Sequence, residues 1–148
     1  MRKTFDRIDR SIAGWMRKNG FLFLRIALGV VFIWFGILKP LGISPAEELV
    51  TRTVYWFSPT WFVPFLGWWE VVIGLCFLYK PLLRLGIFLL MVQMAGTFLP
   101  FLLHPEVVFT KNPLALTLEG EFIIKNLVLI SAAIVVGSTV RGKKGRNA

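Results

Sequence analysis

Four long stretches of the chain are almost wholly apolar, and most polar residues lie between them. These stretches cover about residues 21–38, 61–79, 85–103 and 122–140. A helix that crosses the ~30 Å hydrocarbon core of a bilayer needs roughly 20 predominantly apolar residues, and each stretch is close to that length. The pattern therefore predicts an all-α integral membrane protein, with a bundle of four transmembrane helices over residues 19–140.

A shorter amphipathic segment precedes the first span. Its apolar side chains recur at helical spacings of three and four residues, at Phe5, Ile8, Ile12 and Trp15. Basic residues surround this stripe, so we expect a helix over residues 1–18 that lies on the cytoplasmic face of the membrane. Asn19-Gly20 predicts its end before the first span. The alternative is a frayed basic tail that only sets the topology.

The segment between the first two spans contains a helix-start signal. Ser44 suits an N-cap, Pro45 suits the first helical position, and Glu47 completes a capping box. A short interfacial helix is therefore expected in this outer loop.

The distribution of charge sets the expected orientation. The chain has a net charge of +9 and a mean hydropathy of +0.70. Twelve basic residues lie in the N-terminal segment, the loop between spans two and three, and the C-terminal tail (141–148), whereas the two opposite loops hold three. The positive-inside rule then places both termini in the cytoplasm. We expect the lipid bilayer, and not nucleic acid, to be the partner of this positive charge.

Single copies of cysteine and histidine narrow the possible chemistry. Cys76 is the sole cysteine, which excludes an intramolecular disulfide and a Cys-x-x-Cys redox motif. His104 is the sole histidine, so neither a multi-histidine metal site nor a haem with two histidine ligands can form within one chain. We expect no metal site.

Each predicted span carries a stripe of small and polar residues at helical spacing. In chain order, the stripes are Arg25, Gly29, Phe32, Gly36, Lys39; Val63, Gly67, Glu70, Gly74, Phe77; Gly86, Leu89, Gln93, Gly96, Pro100; and Glu121, Lys125, Val128, Ala132, Val135, Thr139. Small residues allow close helix packing and polar groups seek partners away from lipid, so these stripes are expected to face the bundle interior.

Glu70 is the principal candidate for a functional residue. It lies about nine residues from either end of its apolar stretch, which places its carboxyl group near the bilayer midplane. A carboxylate at that depth must be protonated, paired or facing a wet cavity. Gln93 is expected at the same depth. The sequence leaves open whether these residues bind a ligand or form a structural pair that fixes helix register.

Depth also guides the choice of a partner for Glu70. Arg25 is expected roughly 9 Å from the midplane on the inner side, within reach of a long side chain. Lys125 already has Glu121 as an i,i+4 partner. We therefore predict that Arg25 pairs with Glu70, although Arg25 could instead extend to the inner interface.

Two further polar residues are expected near the outer surface. Lys39 is predicted to reach water or Glu47, and His104 to cap a helix end or accept a proton.

Several short motifs carry a family resemblance. The first span contains Arg25-x3-Gly29-x6-Gly36-x2-Lys39, and the second adds Glu70-x3-Gly74. The later spans contain Gly96-Thr97-Phe98-Leu99 and Gly120-Glu121-Phe122-Ile123-Ile124-Lys125-Asn126. In order and spacing, over about residues 21–138, these motifs resemble the DoxX-like family of small four-helix membrane proteins, including its YkgB-type branch.

The resemblance implies a protein of the bacterial inner membrane. It also implies that Arg25, Lys39, Glu70 and Lys125 occupy recurrent polar positions of the family. Some members are described as subunits of thiosulfate:quinone oxidoreductase, and others are linked to oxidative-stress or reactive-chlorine resistance. Distant eukaryotic relatives act as assembly chaperones for membrane proteins.

These observations lead to a functional expectation and two alternatives. We expect an accessory subunit of a quinone-linked redox or oxidative-stress system, not catalytic by itself, that binds quinone non-covalently and associates with a membrane protein or a second copy. The first alternative is a scaffold or assembly factor that binds its partner through loops 40–60 and 105–120. The second is a small transporter, which the short chain without an internal repeat disfavours.

Overall fold

The computed structural model describes residues 2–112 and 114–140, and its regular structure is helical throughout. The helices in chain order are α1 (Arg2–Leu38), α2 (Glu47–Thr53), α3 (Pro59–Leu78), α4 (Leu83–Thr97), α5 (Leu99–Leu103), α6 (Pro105–Val108) and α7 (Leu118–Ser138), with a short 3-10 helix at Lys80–Leu82. Phe109 and Leu116 form an isolated antiparallel bridge. The predicted basic tail, residues 141–148, lies outside the described residues.

Within the described part of the chain, four helical segments are long and apolar enough to cross a membrane, as predicted. They are α1, α3, the segment Lys80–Leu103 that includes α4 and α5, and α7. Each packs against two others in a closed ring, in the order α1, α3, α4, α7 and back to α1. The loop end of this bundle holds residues 39–58, 104–112 and 114–117, and the turn end holds residues 79–82 and the end of α7.

The centre of the bundle is apolar, and much of its outer surface is apolar as well. The buried cluster includes Leu28, Phe32, Ile73, Phe77, Leu90, Met94, Ala133 and Val136. On the outside, Trp34, Phe88 and Val128 are each more than half exposed. Helices that are apolar on all sides are typical of membrane spans, and this exposure is compatible with a lipid environment.

Helix α1 is continuous, and the predicted break at Asn19-Gly20 is wrong. The side chain of Asn19 donates to the carbonyl oxygen of Trp15 one turn earlier, at 3.1 Å, instead of ending the helix. A glycine inside a helix costs only about 1 kcal/mol, and the long helical segments on both sides outweigh that. With 37 residues, α1 extends over roughly 55 Å at 1.5 Å per residue. Its predicted contact with the membrane surface stays a prediction.

The predicted helix starts differ from the observed ones by a few residues. Helix α2 begins at Glu47, because the Ser44 hydroxyl accepts from the nearby Ala46 amide at 3.4 Å and holds a turn there. Helix α7 begins at Leu118, earlier than predicted. Thr117 is its N-cap and accepts from the amide of Gly120 at 3.1 Å.

The predicted inward stripe is correct for α3 and wrong for α7. In α3, all five stripe residues are buried. In α7, the buried positions are Gly120, Ile123, Ala132, Ala133 and Val136, so most of the predicted stripe faces outward. Small alanines let α7 approach its neighbours closely, whereas Glu121 and Lys125 keep their charges outside the core.

Candidate functional site

Helices α1 and α3 approach each other closely along a seam of paired glycines. A Cβ atom added at Gly36 would lie 2.7 Å from the carbonyl oxygen of Gly67, and one added at Gly74 would lie 2.6 Å from that of Gly29. The pairs Gly29–Gly74 and Gly36–Gly67 therefore set one antiparallel register. This register places Ile33 level with Glu70.

Lys39 and Glu70 form a buried ion pair beside this seam. The ammonium nitrogen of Lys39 lies 2.5 Å from Oε2 of Glu70, and the two side chains are 6% and 10% exposed. A Cβ atom at Gly67 would lie 2.8 Å from the Cβ of Lys39. The absence of a side chain at position 67 therefore leaves room for the lysine stem to pass between the helices.

The predicted pairing of Arg25 with Glu70 is wrong, and side-chain direction explains why. Side chains on a helix tilt toward its N-terminus. Glu70 therefore leans toward the loop end, where Lys39 directly follows α1 and contacts the Glu70 carboxylate. Arg25 lies about 12 Å from the level of Glu70 at 1.5 Å per residue, and it leans toward the turn end.

Lys39 was expected at the outer boundary, in contact with water or Glu47, and the structure buries it instead. The signal for its position is present in the sequence as a repeated spacing. Gly29 and Gly36 are seven residues apart on α1, and Gly67 and Gly74 are seven apart on α3. Pairing the two spacings antiparallel brings Lys39 to the outer side of Glu70, on the face toward which Glu70 leans.

Gln93 of α4 completes the cluster, at the depth predicted. Its amide nitrogen donates to Oε1 of Glu70 at 2.5 Å, so both carboxylate oxygens have a partner. Its own oxygen, Oε1, is buried and accepts no hydrogen bond from the described residues. We call Lys39, Glu70 and Gln93 the polar cluster. It connects three of the four long helical segments.

The remaining predicted site residues lie apart from the polar cluster. Arg25 is half-buried, and its Nε has no hydrogen-bond partner among the described residues. Lys125 and Glu121 pair as i,i+4 neighbours at 3.9 Å, but their side chains are 67% and 56% exposed. The prediction that both residues face the bundle interior is therefore wrong, because α7 turns its charged face outward.

His104 lies at the loop end, between α5 and α6. It occupies the N-cap position of α6 without a side-chain capping bond. Its Nδ1 lies 3.0 Å from Oε1 of Glu106. Hydrogen bonding to the backbone of Glu106 itself, and then to the His104 side chain, lowers the pKa of the Glu106 carboxyl. The other ring nitrogen, Nε2, is buried without a partner among the described residues.

The donors and acceptors of the polar cluster define what it can bind. The carboxylate is already occupied by a lysine and an amide, whereas the oxygen of Gln93 remains able to accept a hydrogen bond. Among the residues that the structure describes, no group of three or more His, Cys, Asp or Glu side chains could hold a metal ion.

The fold and the polar cluster together indicate a multi-pass membrane protein. Over residues 2–112 and 114–140, the regular structure is helical, with four segments long and apolar enough to span a membrane and a lysine–glutamate–glutamine cluster between three of them. Comparisons with protein-family models, with curated proteins and with solved structures gave no match.

Proposed function

We propose that this chain is a multi-pass protein of the bacterial inner membrane, of the DoxX-like kind, with both termini in the cytoplasm. In this proposal it is an accessory subunit of a quinone-linked redox or oxidative-stress system and is not catalytic by itself. The four apolar segments and the excess of basic residues on one side support the membrane placement.

The unpaired oxygen of Gln93 is the observation that carries the quinone assignment. A buried acceptor without a donor is unfavourable, and a ligand hydroxyl could supply that donor. The hydroxyl group of a quinol has this chemistry, and a quinol reaches such a depth from the bilayer. In the proposed complex, the hydroxyl donates to Oε1 of Gln93, beside the Lys39–Glu70 ion pair.

A ligand-dependent thermal shift tests this assignment. The full chain, purified in a mild neutral detergent, is heated with a short-chain ubiquinol analogue, and unfolding is followed by tryptophan fluorescence. We expect the quinol to raise the Tm of the wild-type protein. Gln93→Met should reduce that ligand-induced rise, because methionine keeps the length of the side chain and removes the amide oxygen.

Lys125→Gln is the matched control, since Lys125 is exposed and lies outside the polar cluster. It should leave the ligand-induced rise unchanged. An equal rise in the wild type and Gln93→Met, or no rise in either, would contradict quinol binding at Gln93.

The second candidate function is a scaffold or assembly factor, in which the polar cluster has only the structural role of fixing helix register. Two observations favour it. Both oxygens of the Glu70 carboxylate are already bonded, as in a structural ion pair. Large apolar side chains also lie exposed at the loop end, including Tyr55 at 73% and Leu114 at 92%. Exposed aromatic and apolar groups of this kind suit contact with a partner protein.

Co-purification separates the two functions. The tagged chain is extracted from native membranes in mild detergent, and co-eluting proteins and quinones are identified by mass spectrometry. A co-eluting oxidoreductase supports the accessory-subunit proposal. Loss of an unrelated client protein in a Tyr55→Ser/Trp56→Ser variant of unchanged Tm supports the scaffold instead.

A further inference from the structure

A cleft of about 360 Å³ opens at the turn end of the bundle. Its volume lies within the range of ~300–1,000 Å³ that is usual for small-molecule sites. The lining residues come from the 3-10 helix between α3 and α4, from the start of α4 and from the two residues after α7: Lys80, Pro81, Leu83, Arg84, Thr139 and Val140. The cleft shares no residue with the polar cluster.

The charged part of this cleft is cationic. Lys80 and Arg84 both line it, and neither has an acidic side chain within 4.0 Å among the described residues. Arg84 presents a planar set of donors and Lys80 a compact positive charge, which together suit phosphate oxygens. Thr139 also lines the cleft, and its hydroxyl donates to the carbonyl oxygen of Val136 at 2.7 Å.

The remaining wall is apolar. Leu83 and Val140 line the cleft beside the two cations. A site that joins positive charge to apolar surface matches an amphiphile better than a free inorganic ion. On the predicted orientation, the turn end faces the cytoplasmic leaflet, which carries the anionic lipids.

We propose that this cleft binds the phosphodiester headgroup of an anionic phospholipid. The phosphate lies between Lys80 and Arg84, and the start of the acyl chains lies against Leu83 and Val140. The bound lipid thereby links the α3–α4 connection to the end of α7. This site is independent of the quinol proposal, because it involves none of the residues of the polar cluster.

Native mass spectrometry of the full chain in neutral detergent measures this binding directly. The probes are phosphatidylglycerol, phosphatidylcholine, glycerol 3-phosphate and inorganic phosphate, each titrated separately. We expect the wild-type protein to retain phosphatidylglycerol in preference to phosphatidylcholine. Each cation near an anionic surface contributes about 1 kcal/mol, so Lys80→Gln/Arg84→Gln should weaken phosphatidylglycerol binding about 30-fold.

Two further variants give the experiment its controls. Arg52→Gln/Lys111→Gln removes the same number of charges from exposed positions at the loop end and should leave the affinity unchanged. Arg84→Lys keeps the charge and should retain most of the binding. An equal loss in both double variants would show a general charge effect and overturn the site. Glycerol 3-phosphate or inorganic phosphate binding as tightly as phosphatidylglycerol would overturn the lipid assignment.

Discussion

Replacing Lys39 by methionine removes the ammonium group that contacts Glu70 and preserves most of the volume of the lysine stem. The two side chains of this ion pair are only 6% and 10% exposed, so water screens the remaining charge weakly. Removing one partner of a buried pair costs about 3–5 kcal/mol, against roughly 0–1 kcal/mol for an exposed pair. We expect Lys39→Met to lower the free energy of unfolding by about 3–5 kcal/mol, because Glu70 then keeps a buried charge without a cation.

A double-mutant cycle measures this coupling. The free energy of unfolding is obtained by titrating the protein from a mild detergent into SDS, with the six tryptophans as the fluorescent probe. Lys39→Met/Glu70→Gln should recover most of the stability that Lys39→Met loses, because the second change removes the unpaired charge and glutamine can still bond to Gln93. The coupling energy should therefore be large.

Arg25→Met is the matched control, since it removes one cation from α1, the helix that Lys39 directly follows. We expect a loss of about 1 kcal/mol or less, with no recovery on adding Glu70→Gln, because Arg25 makes no ion pair in the described structure. A large loss for Arg25→Met that Glu70→Gln restores, with a small loss for Lys39→Met, would refute the argument from side-chain direction.

Three further changes test other parts of the bundle in the same assay. Gly67→Ala should destabilise by about 1–3 kcal/mol, since its Cβ would lie 2.5 Å from the carbonyl oxygen of Gly36. The control Gly96→Ala, where no atom lies within 4 Å, should be neutral or stabilising, and equal losses at both positions would contradict the glycine seam. Gln93→Leu should cost about 1.5–3 kcal/mol, because it removes a hydrogen bond to a charged group; a smaller loss than that of Gly96→Ala would contradict that bond. Lys125→Gln should change stability by less than about 1 kcal/mol, and a larger loss would contradict the exposed position of the Glu121–Lys125 pair.

The number and placement of the long helices follow from hydropathy alone, because each span must be apolar over most of its length. The inward face of each helix and the partner of Glu70 depend on side-chain packing, which hydropathy does not measure. In α7, the predicted inward stripe ran from Glu121 to Thr139, yet Ala132 is its one buried member, and the observed buried face also includes Ile123, Ala133 and Val136. Beyond Lys125, α7 has no charged residue and is mostly apolar on all sides, so its sequence specifies the inward face weakly there.

The break predicted at Asn19-Gly20 failed for a different reason. Asparagine and glycine favour a helix end only where the flanking residues do not themselves favour a continuous helix. Here an amphipathic segment precedes the pair and an apolar span follows it, and both segments favour helix. Helix propagation across one glycine costs less than the loss of hydrogen bonds on either side.

The partner of Glu70 was predicted from depth along the helix axis, and depth alone was insufficient. Lys39 and Arg25 lie on the same predicted stripe and on opposite sides of Glu70. Side chains on α1 tilt toward its N-terminus, so Arg25 points away from Glu70, whereas Lys39, in the turn directly after α1, reaches back to Glu70. Register from the paired glycines, together with this direction, would have identified Lys39 from the sequence.

The composition of the polar cluster also accounts for its one unpaired acceptor. The Glu70 carboxylate accepts hydrogen bonds and cannot donate them, so the amide of Gln93 must turn its nitrogen toward Glu70. The amide oxygen then faces away, and rotating the amide to pair that oxygen would place it against the carboxylate. A purely structural role needs only the donor, which a side chain that donates but does not accept, such as tryptophan, would supply without an unpaired oxygen. A purely structural role therefore does not explain the buried oxygen of Gln93, whereas a ligand hydroxyl that donates to it would explain it.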